Sequence, residues 1–336
     1  NQLPQKNIAN NINFRNIIIN GDMSIAQRAT SKTGVTGSGY YTIDRYKWVA
    51  STDDTVDLSQ ETDVPSGQGF TNSFKVLVDT ADTSIGASTT AHVQHRIEAQ
   101  NLQYLRYGTS SAKTLTLSFW VKSNKTGTYC IALAKPDNTR YDYVAEYSIS
   151  SSDTWEKKTL TIVPDSNIKA SGGAIDNNNG NGFDLKFTLA TGSSRQGTNE
   201  TWNTATPSYG TSNQVNFLDT ANNEWYITGI QLEAGEVASD FEFLPYDVNL
   251  RRCLRYYYYD DARIEMSTQR VSDGKRNGYK QFPVPMRASP TFTSESSTEI
   301  SNTSVTDTSE YAITFQQSGS DASLPRYLEY NLSAEL

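Results

Sequence analysis

Cysteine and histidine are scarce in this 336-residue sequence, which contains two of each. Cys130 and Cys253 lie too far apart to form a disulfide framework or a repeated metal-ligand pattern, so we expect buried thiols. His92 and His95 lie in the run TTAHVQHRIEAQ, which predicts a strand. A separation of three residues places their imidazoles on opposite faces of that strand, which makes them poor joint ligands for zinc.

Positive charge and long apolar runs are also lacking. The formal net charge is -8, whereas binding to a nucleic-acid backbone requires clustered Lys and Arg, so we expect no nucleic-acid partner. No apolar run approaches the roughly 18 residues needed to cross a bilayer, and the N-terminal stretch lacks the apolar segment of a signal peptide. We therefore expect no membrane insertion. The sequence begins without Met, which is compatible with a processed or partial product.

Polar and aromatic residues are abundant instead. The chain has 20 Tyr, 12 Phe, 5 Trp and 21 Gly, and only 36% of its residues are hydrophobic. This composition favours short strands joined by polar loops. Aromatic rings with polar edges are suited to stacking on sugars or packing at subunit interfaces, although core or cross-strand packing is the simpler interpretation of any single ring.

A period-two alternation of apolar residues is clearest in KTLTLSFWVKS. There it assigns Leu115, Leu117, Phe119 and Val121 to one buried face. The run GTYCIALAKP follows after a short turn, so the two runs are predicted to form a hairpin. Further strands are predicted in DYVAEYSIS, TWEKKTLTIVP, FDLKFTLAT and EWYITGIQLEAG. Such spacing without helical periodicity predicts an all-β fold, an antiparallel jelly-roll sandwich.

The domain organisation follows from changes in composition. Residues 1–16 are Asn-rich and predict an extended arm, residues 17–248 the jelly roll, and residues 249–336 a smaller C-terminal β module. A short helix is predicted in the run NLRRCLRYYYYDDAR before the second β region. Three prolines, Pro283, Pro285 and Pro290, confine the strand KQFPVPMRASPTFTS to a sheet edge or to irregular structure.

Two groups of aromatic residues are candidates for binding. Trp202 and Tyr209 lie in a long polar loop, where each side chain is either fixed as a lid or offered to a ligand. The consecutive Tyr256, Tyr257, Tyr258 and Tyr259 would form either a glycan platform or a contact between modules or neighbouring chains. We favour the contact because the run directly follows the sandwich.

No catalytic constellation is apparent in the sequence. The carboxylate pairs Asp53-Asp54 and Asp260-Asp261 are adjacent residues, and adjacent residues of a strand point to opposite faces. No GxSxG motif is present, and two histidines leave little material for a Ser-His-Asp triad. We therefore predict no catalytic residues and a protein that is not an enzyme.

Several segments occur in a distinctive order along most of the chain, from about residue 14 to residue 292. They are RNIIINGDMSIAQRAT, YYTIDRYKW, IEAQNL, KTLTLSFWVKS, TWEKKTLTI, WYITGIQLEAGEVASDFEFLPYDVNLRRCLRYYY and FPVPMRASPT. This series resembles a family of phage tail-fibre and receptor-binding proteins of the marine-phage type. The resemblance implies a carbohydrate-binding-module-like jelly roll followed by a small C-terminal β module.

The resemblance also implies a role and partners. It implies a non-enzymatic virion protein on the tail or outer surface, assembled in the host cytoplasm as a homotrimer together with other tail proteins. Its expected target is a host surface glycan or an outer-membrane receptor. The family supplies no catalytic motif and no fixed ligand residues, so the receptor itself is not implied.

Calcium is the one cofactor that the resemblance brings into consideration. Jelly-roll carbohydrate modules often hold a structural calcium near an early Asn-Gly motif, which makes Asn20 and Asp22 weak candidates. Ser24 stands where such modules often have an acidic residue, and YITGIQL lacks their Asp pair. The alternative interpretation is a turn in which the Asp side chain binds backbone N–H groups.

Two other functions stay open alongside host attachment. The same fold could serve as a decoration fibre or knob on the capsid surface. A polysaccharide-degrading tailspike is the other alternative, but tailspike depolymerases generally rely on long parallel β-helix repeats, and no such internal period is visible.

Overall fold

The computed structural model describes residues 14–204, 207–260, 276–294, 303–317 and 330–336. Twelve strands in the first part of the chain form two six-stranded antiparallel sheets that pack face to face. In chain order they are β1 Ser31–Val35, β2 Tyr46–Ala50, β3 Thr55–Glu61, β4 Ser73–Thr80, β5 Thr90–Glu98, β6 Leu115–Ser123, β7 Gly127–Lys135, β8 Tyr141–Ile149, β9 Glu156–Ile162, β10 Asn181–Thr191, β11 Thr201–Asn203 and β12 Glu224–Ala234.

Sheet 1 has the strand order β1-β3-β4-β12-β6-β9, and sheet 2 has the order β11-β8-β7-β10-β5-β2. Most connections between consecutive strands cross from one sheet to the other, as in a jelly roll, whereas β3-β4, β7-β8 and β10-β11 each stay within one sheet. Short helices lie in the connections: α1 Ser166–Lys169, α2 Tyr246–Leu254 and 3-10 turns such as Ala99–Leu105. The predicted fold class, an antiparallel jelly-roll sandwich, is confirmed.

The core lies between the two sheets. The predicted apolar face of β6 is confirmed, because Leu115, Leu117, Phe119 and Val121 are all 0% exposed. Phe119 packs edge-on against Tyr147 of β8 and Phe187 of β10, with ring centroids 5.1 Å apart in each case. Burial of such side chains contributes about 1.5–3 kcal/mol each, which makes this aromatic layer a major source of stability.

The hairpin predicted from KTLTLSFWVKS and GTYCIALAKP is wrong. Strand β6 pairs with β12 and β9 in sheet 1, whereas β7 pairs with β8 and β10 in sheet 2. The short connection crosses the sandwich because both strands bury an apolar face, and stacking brings those faces together across the core. The Asn124 side chain accepts a hydrogen bond from Glu224 N–H at 2.8 Å, and Lys125 Nζ donates to the Asp219 carboxylate at 2.7 Å. These two contacts hold the crossing in place.

Six further strands form the smaller C-terminal β module. They are β13 Tyr257–Asp260, β14 Arg276–Gln281, β15 Thr291–Ser294, β16 Thr303–Thr308, β17 Ala312–Gln317 and β18 Tyr330–Ser333. They pair as two three-stranded sheets, β13-β18-β15 and β14-β17-β16. The three prolines lie between the edge strands β14 and β15, as their missing N–H groups require.

Buried ionic and aromatic contacts join the module to the sandwich. Tyr256 is 1% exposed, and its hydroxyl donates to the Glu98 carboxylate at 2.6 Å. The guanidinium of Arg45 lies 3.4 Å from the centre of the Tyr256 ring and forms an ion pair with Glu335. Arg255 binds both oxygens of Glu98, at 2.7 and 2.9 Å. The last residues of the chain are thereby fixed against the sandwich.

Candidate functional site

The outward face of sheet 2 carries rows of polar side chains that run across the strands. Residues of alternating strand positions share a face, so pairing in register sets which side chains are neighbours. Lys186 on β10 pairs with Gln94 on β5 and with Ala132 on β7, and the adjacent row pairs Asp184 with Arg96 and Ala134. The third row pairs Thr188 with His92 and Cys130.

Small residues of β7 lie on this face. Cys130, Ala132 and Ala134 are flanked by longer side chains of β8 and β10, and we call the strip along these small residues the groove. The sequence alone does not locate this strip, because it combines residues of several strands. A detectable signal was the alternation of Asp184 and Lys186 with apolar residues in FDLKFTLAT.

Residues 207–214 lie over one end of the groove. Tyr209 accepts a hydrogen bond from the Thr188 hydroxyl at 2.5 Å through its backbone carbonyl, and the Gln214 amide donates to the Thr188 carbonyl at 2.8 Å. The Thr211 hydroxyl donates to Glu146 at 2.6 Å. These hydrogen bonds attach this part of the polar loop to the sheet.

Tyr209 lies half-buried at the edge of the groove. Its ring stacks on the His92 imidazole with centroids 5.4 Å apart, and Lys186 Nζ lies 5.3 Å from the ring centre. Burial, with a smaller contribution from Lys186, holds the pKa of His92 well below its usual range. The imidazole is therefore neutral at pH 7 and supports the tyrosine ring by stacking.

Two carboxylates of the groove, Asp142 and Asp184, are each paired with a cation. Asp142 binds Arg140 through both oxygens, at 2.9 and 2.7 Å. Asp184 lies 3.1 Å from Arg96 Nε and accepts from the Asn181 amide at 2.8 Å. Both carboxylates are less than a tenth exposed, so their charges serve to orient basic side chains.

Two polar groups in the middle row lack hydrogen bonds. Gln94 is 4% exposed and Lys186 3% exposed, yet in the described part of the chain neither side chain makes a hydrogen bond. Lys186 Nζ has only a 3.6 Å contact with Asp184. Burial lowers the pKa of Lys186 against the opposing effects of Asp184 and Asp142. Buried polar groups are nearly always paired, and the Lys186 ammonium is a buried group without a hydrogen bond, so it indicates a place for a polar ligand.

Trp202, a ligand-binding candidate from the sequence, does not line the groove. It lies on β11 and is 3% exposed. Its indole N–H donates to the Val163 carbonyl at 3.0 Å, and its ring packs 5.3 Å from Tyr143. Strand pairing with β8 turns the side chain inward, so in this structure Trp202 is a core residue and Tyr209 alone of the predicted pair lies at the groove.

The calcium candidates Asn20 and Asp22 are engaged in a turn. The Asn20 amide donates to the carbonyls of Ile25 and Asp44, and its oxygen accepts from Ile25 N–H at 3.0 Å. Asp22 accepts from Asn249 and Ser24 at 3.0 and 3.1 Å. The side-chain oxygen of Asn20 is therefore committed to the backbone.

The four consecutive tyrosines have different surroundings. Tyr256 is buried at the junction described above, and Tyr257 lies under the Arg28 guanidinium, 3.6 Å from the ring centre. Tyr258 packs 6.3 Å from Phe282 within the C-terminal module, and Tyr259 is 40% exposed. The first two contact the sandwich and the third contacts the module core.

Two further features of the described ranges concern metal ions and membranes. In them, no cluster of three or more His, Cys, Asp or Glu side chains is placed to hold a metal ion. None of the helices described has the length and apolar character needed to cross a bilayer.

Comparison with known proteins gives similarity of structure alone. No protein-family model matches the chain, and no curated protein does. Among solved structures, it is similar to the enzymatically active domain of tailspike protein 4 of bacteriophage CBA120, with 12% identity and a TM-score of 0.34 over 66% of this chain and 22% of that one.

Two carbohydrate-binding modules are similar at the same level. One is a family 11 module from Clostridium thermocellum in complex with a β-1,3-1,4-mixed-linked tetrasaccharide, with 12% identity and a TM-score of 0.32 over 63% of this chain and 99% of that one. The other is TmCBM61 in complex with β-1,4-galactotriose, with 12% identity and a TM-score of 0.31 over 66% and 99%. Likeness at this level does not decide function.

Proposed function

We propose that this chain is a non-enzymatic glycan-binding protein that acts as the receptor-binding subunit of a phage tail fibre. The sugar binds in the groove on the outward face of sheet 2. The observation that carries the proposal is the buried ammonium group of Lys186, which forms no hydrogen bond with the described residues and lies between the Gln94 side chain and the ring of Tyr209.

The chemistry of these three side chains suits a sugar. A carboxamide both donates and accepts hydrogen bonds and an ammonium group donates three, so together they match adjacent hydroxyl groups. Tyr209 supplies a flat face with a polar edge, which suits the C–H face of a sugar ring. Arg96 and Arg140, with side chains 29% and 36% exposed, extend the polar surface towards solvent.

The groove favours binding over hydrolysis. A glycosidase needs one carboxyl group that can give up a proton and a second that acts as base or nucleophile. Asp142 and Asp184 both bind guanidinium groups, so their oxygens are already engaged and are not free to contact a glycosidic bond. We therefore propose that host polysaccharide keeps its length when the protein binds it.

The phage assignment rests on the ordered segments from RNIIING to FPVPMRASPT. On the same basis we propose a homotrimer that assembles with other tail proteins, since several linked weak sites increase avidity for a repetitive cell surface. Light scattering should give three times the 37.3 kDa of one chain. The mass of a single chain would contradict the trimer, and antibody labelling of capsids instead of tail tips would favour the decoration alternative.

The binding proposal is tested with Lys186→Met, which removes the ammonium group and keeps the length of the side chain. We expect binding to immobilised host polysaccharide to weaken about ten-fold or more, because a charge-assisted hydrogen bond is worth about 1.5–3 kcal/mol. Stability should be equal or higher, since a buried charge with poor pairing is lost.

The matched control is Lys157→Met, which changes an exposed lysine on β9 of the opposite sheet. It should bind as the unchanged protein does. Equal binding of polysaccharide by Lys186→Met and Lys157→Met would show that the groove is not the binding site. If the protein releases oligosaccharides from the polysaccharide and the Asp142→Asn or Asp184→Asn variant does not, the protein is an enzyme and the proposal of binding without hydrolysis is wrong.

A further inference from the structure

A cleft of about 650 Å³ lies apart from the groove, where the first described residues meet the turn Ala99–Leu105 and helix α2. Its lining includes Phe14, Asn101, Tyr104, Arg252 and Arg255. None of these residues belongs to the outward face of sheet 2. A volume of this size is typical of small-molecule sites.

Arg252 is the anomaly of this cleft. Arg252 is half-buried, and none of the described residues forms a hydrogen bond or ion pair with its guanidinium. Burial lowers the pKa of Arg252. Its nitrogen atoms are not fully buried, so a ligand can reach them, and guanidinium pairs best with a planar carboxylate through two parallel hydrogen bonds.

The neighbouring charged side chains have other hydrogen-bond partners. Arg255 is bound to both oxygens of Glu98. The carboxylate of Glu242 lies near enough to Arg252 to oppose the lowering of the Arg252 pKa, but its oxygens accept the backbone N–H groups of Phe14 at 2.6 Å and Asn16 at 2.9 Å. Residues 1–13, which directly precede the cleft in sequence, contain no Asp or Glu, so they bring no side-chain carboxylate to Arg252.

The remaining lining offers rings and an amide. Tyr104 is 45% exposed and Phe14 59% exposed, so both present ring surface to solvent. The carboxamide of Asn101 is exposed and makes no hydrogen bond. An unpaired guanidinium beside an aromatic face and a free amide matches a ring that carries both a carboxylate and hydroxyl groups.

We infer that this cleft is a second binding site, selective for an acidic sugar residue. The carboxylate pairs with Arg252, the sugar ring packs on Tyr104, and Asn101 binds ring hydroxyls. The site is independent of the groove on sheet 2 and goes beyond the function proposed for it, because it specifies the charge of the sugar it binds.

The probes are trimers of galacturonic, glucuronic and mannuronic acid, with β-1,4-galactotriose as the neutral reference, measured by titration calorimetry with the full chain. We expect at least one uronate trimer to bind more tightly than the neutral sugar, and its affinity to fall as salt is added. Arg252→Gln should weaken that binding about ten-fold or more. Arg252→Lys should give an intermediate loss, because it keeps the charge without the planar fork.

The matched control is Arg251→Gln, which neutralises an exposed arginine in the same turn of α2 and should bind as the unchanged protein does. Lys186→Met should also leave uronate binding intact, so failure of the groove proposal and failure of this one are separable. Equal uronate binding by Arg252→Gln and Arg251→Gln, or binding of none of the three trimers, would overturn the inference. So would tighter binding of a short acidic peptide, which would assign the cleft to a protein partner.

Discussion

At the scale of single residues, Trp202 illustrates how strand pairing decides the role of an aromatic side chain. Its polar neighbours in TGSSRQGTNETWNTATPSYG suggest exposure, but register with Tyr143 on β8 places the indole in the core. We expect Trp202→Ala to lower the free energy of unfolding by about 3–5 kcal/mol, as for other large-to-small core changes. Urea denaturation of the variant and of the unchanged protein measures this difference in the free energy of unfolding.

Tyr209→Ala provides the comparison for Trp202→Ala. Removal of this half-buried ring at the groove edge should lower the free energy of unfolding much less than Trp202→Ala does. It should also weaken binding to polysaccharide. A Trp202→Ala protein as stable as the unchanged chain would show that the indole is not part of the core in solution.

Asp44 provides a pH prediction. Burial, opposed by Arg28 and by hydrogen bonds from Gln27, raises the pKa of Asp44 to about 6. The folded chain therefore binds the proton more tightly than the unfolded chain does, so this group's contribution to stability falls as pH rises from about 4 to about 6. Two pKa units correspond to about 3 kcal/mol at most.

Denaturation of the unchanged protein and of Asp44→Asn at pH 4, 5, 6 and 7 tests this sign. Stability relative to the variant should decline across that window, because Asn has no proton to lose. A difference between the two proteins that stays constant with pH would contradict the raised pKa.

Prediction from sequence succeeds for residues whose neighbours lie in the same strand. The alternation in β6 assigned Leu115 to Val121 correctly because the period-two rule depends only on local geometry. It could not reveal Gln94 opposite Lys186 or the unpaired Arg252, since each depends on segments brought together from distant parts of the chain. The sequence shows polar residues in the middle of β10, but it does not show which side chains of the neighbouring strands lie beside them.

At the scale of elements, the crossing from β6 to β7 explains why the hairpin prediction failed. A turn of the same length can join neighbouring strands or pass between stacked sheets, and the choice depends on what the flanking strands bury. Gly127 lies at the end of the crossing with φ of +137°, and a Cβ there would come 2.5 Å from Val215 Cγ1. Only glycine fits this position without strain.

Gly127→Ala should therefore lower the free energy of unfolding by about 1–3 kcal/mol through backbone strain and overpacking. The control is Gly37→Ala, where an added Cβ meets nothing within 4 Å, and its effect should stay within about 0.5 kcal/mol. Thermal melts of both variants measure the contrast. Equal melting temperatures would mean that Val215 moves away at little cost.

At the scale of the whole molecule, the junction couples the sandwich to the C-terminal module. Arg45 is 0% exposed, and its ion partner Glu335 is the second-last residue of the chain. Arg287 of the module also donates to the Ala334 carbonyl at 2.7 Å. The sequence predicts a module after the sandwich, but it does not predict that the buried Arg45 forms an ion pair with Glu335.

Glu335→Gln should be strongly destabilising, by about 3–5 kcal/mol, because it leaves the buried Arg45 without its counter-charge. We also expect calorimetry to show the two modules unfolding in separate steps. Glu236→Gln, which changes an exposed glutamate, should leave one transition at the original temperature. A single unshifted transition in Glu335→Gln would show that the ion pair does not couple the modules.

The small-residue floor of the groove has a consequence for how binding specificity changes under the proposed function. Cys130, Ala132 and Ala134 lie along β7, while the longer side chains beside them belong to the outward positions of other strands. Their inward neighbours form the core between the sheets, so a substitution at an outward position repacks the outer layer and leaves that core in place. Under the proposed function, a lineage carrying this scaffold would change its ligand by substitutions in the outer layer while the sandwich stays the same.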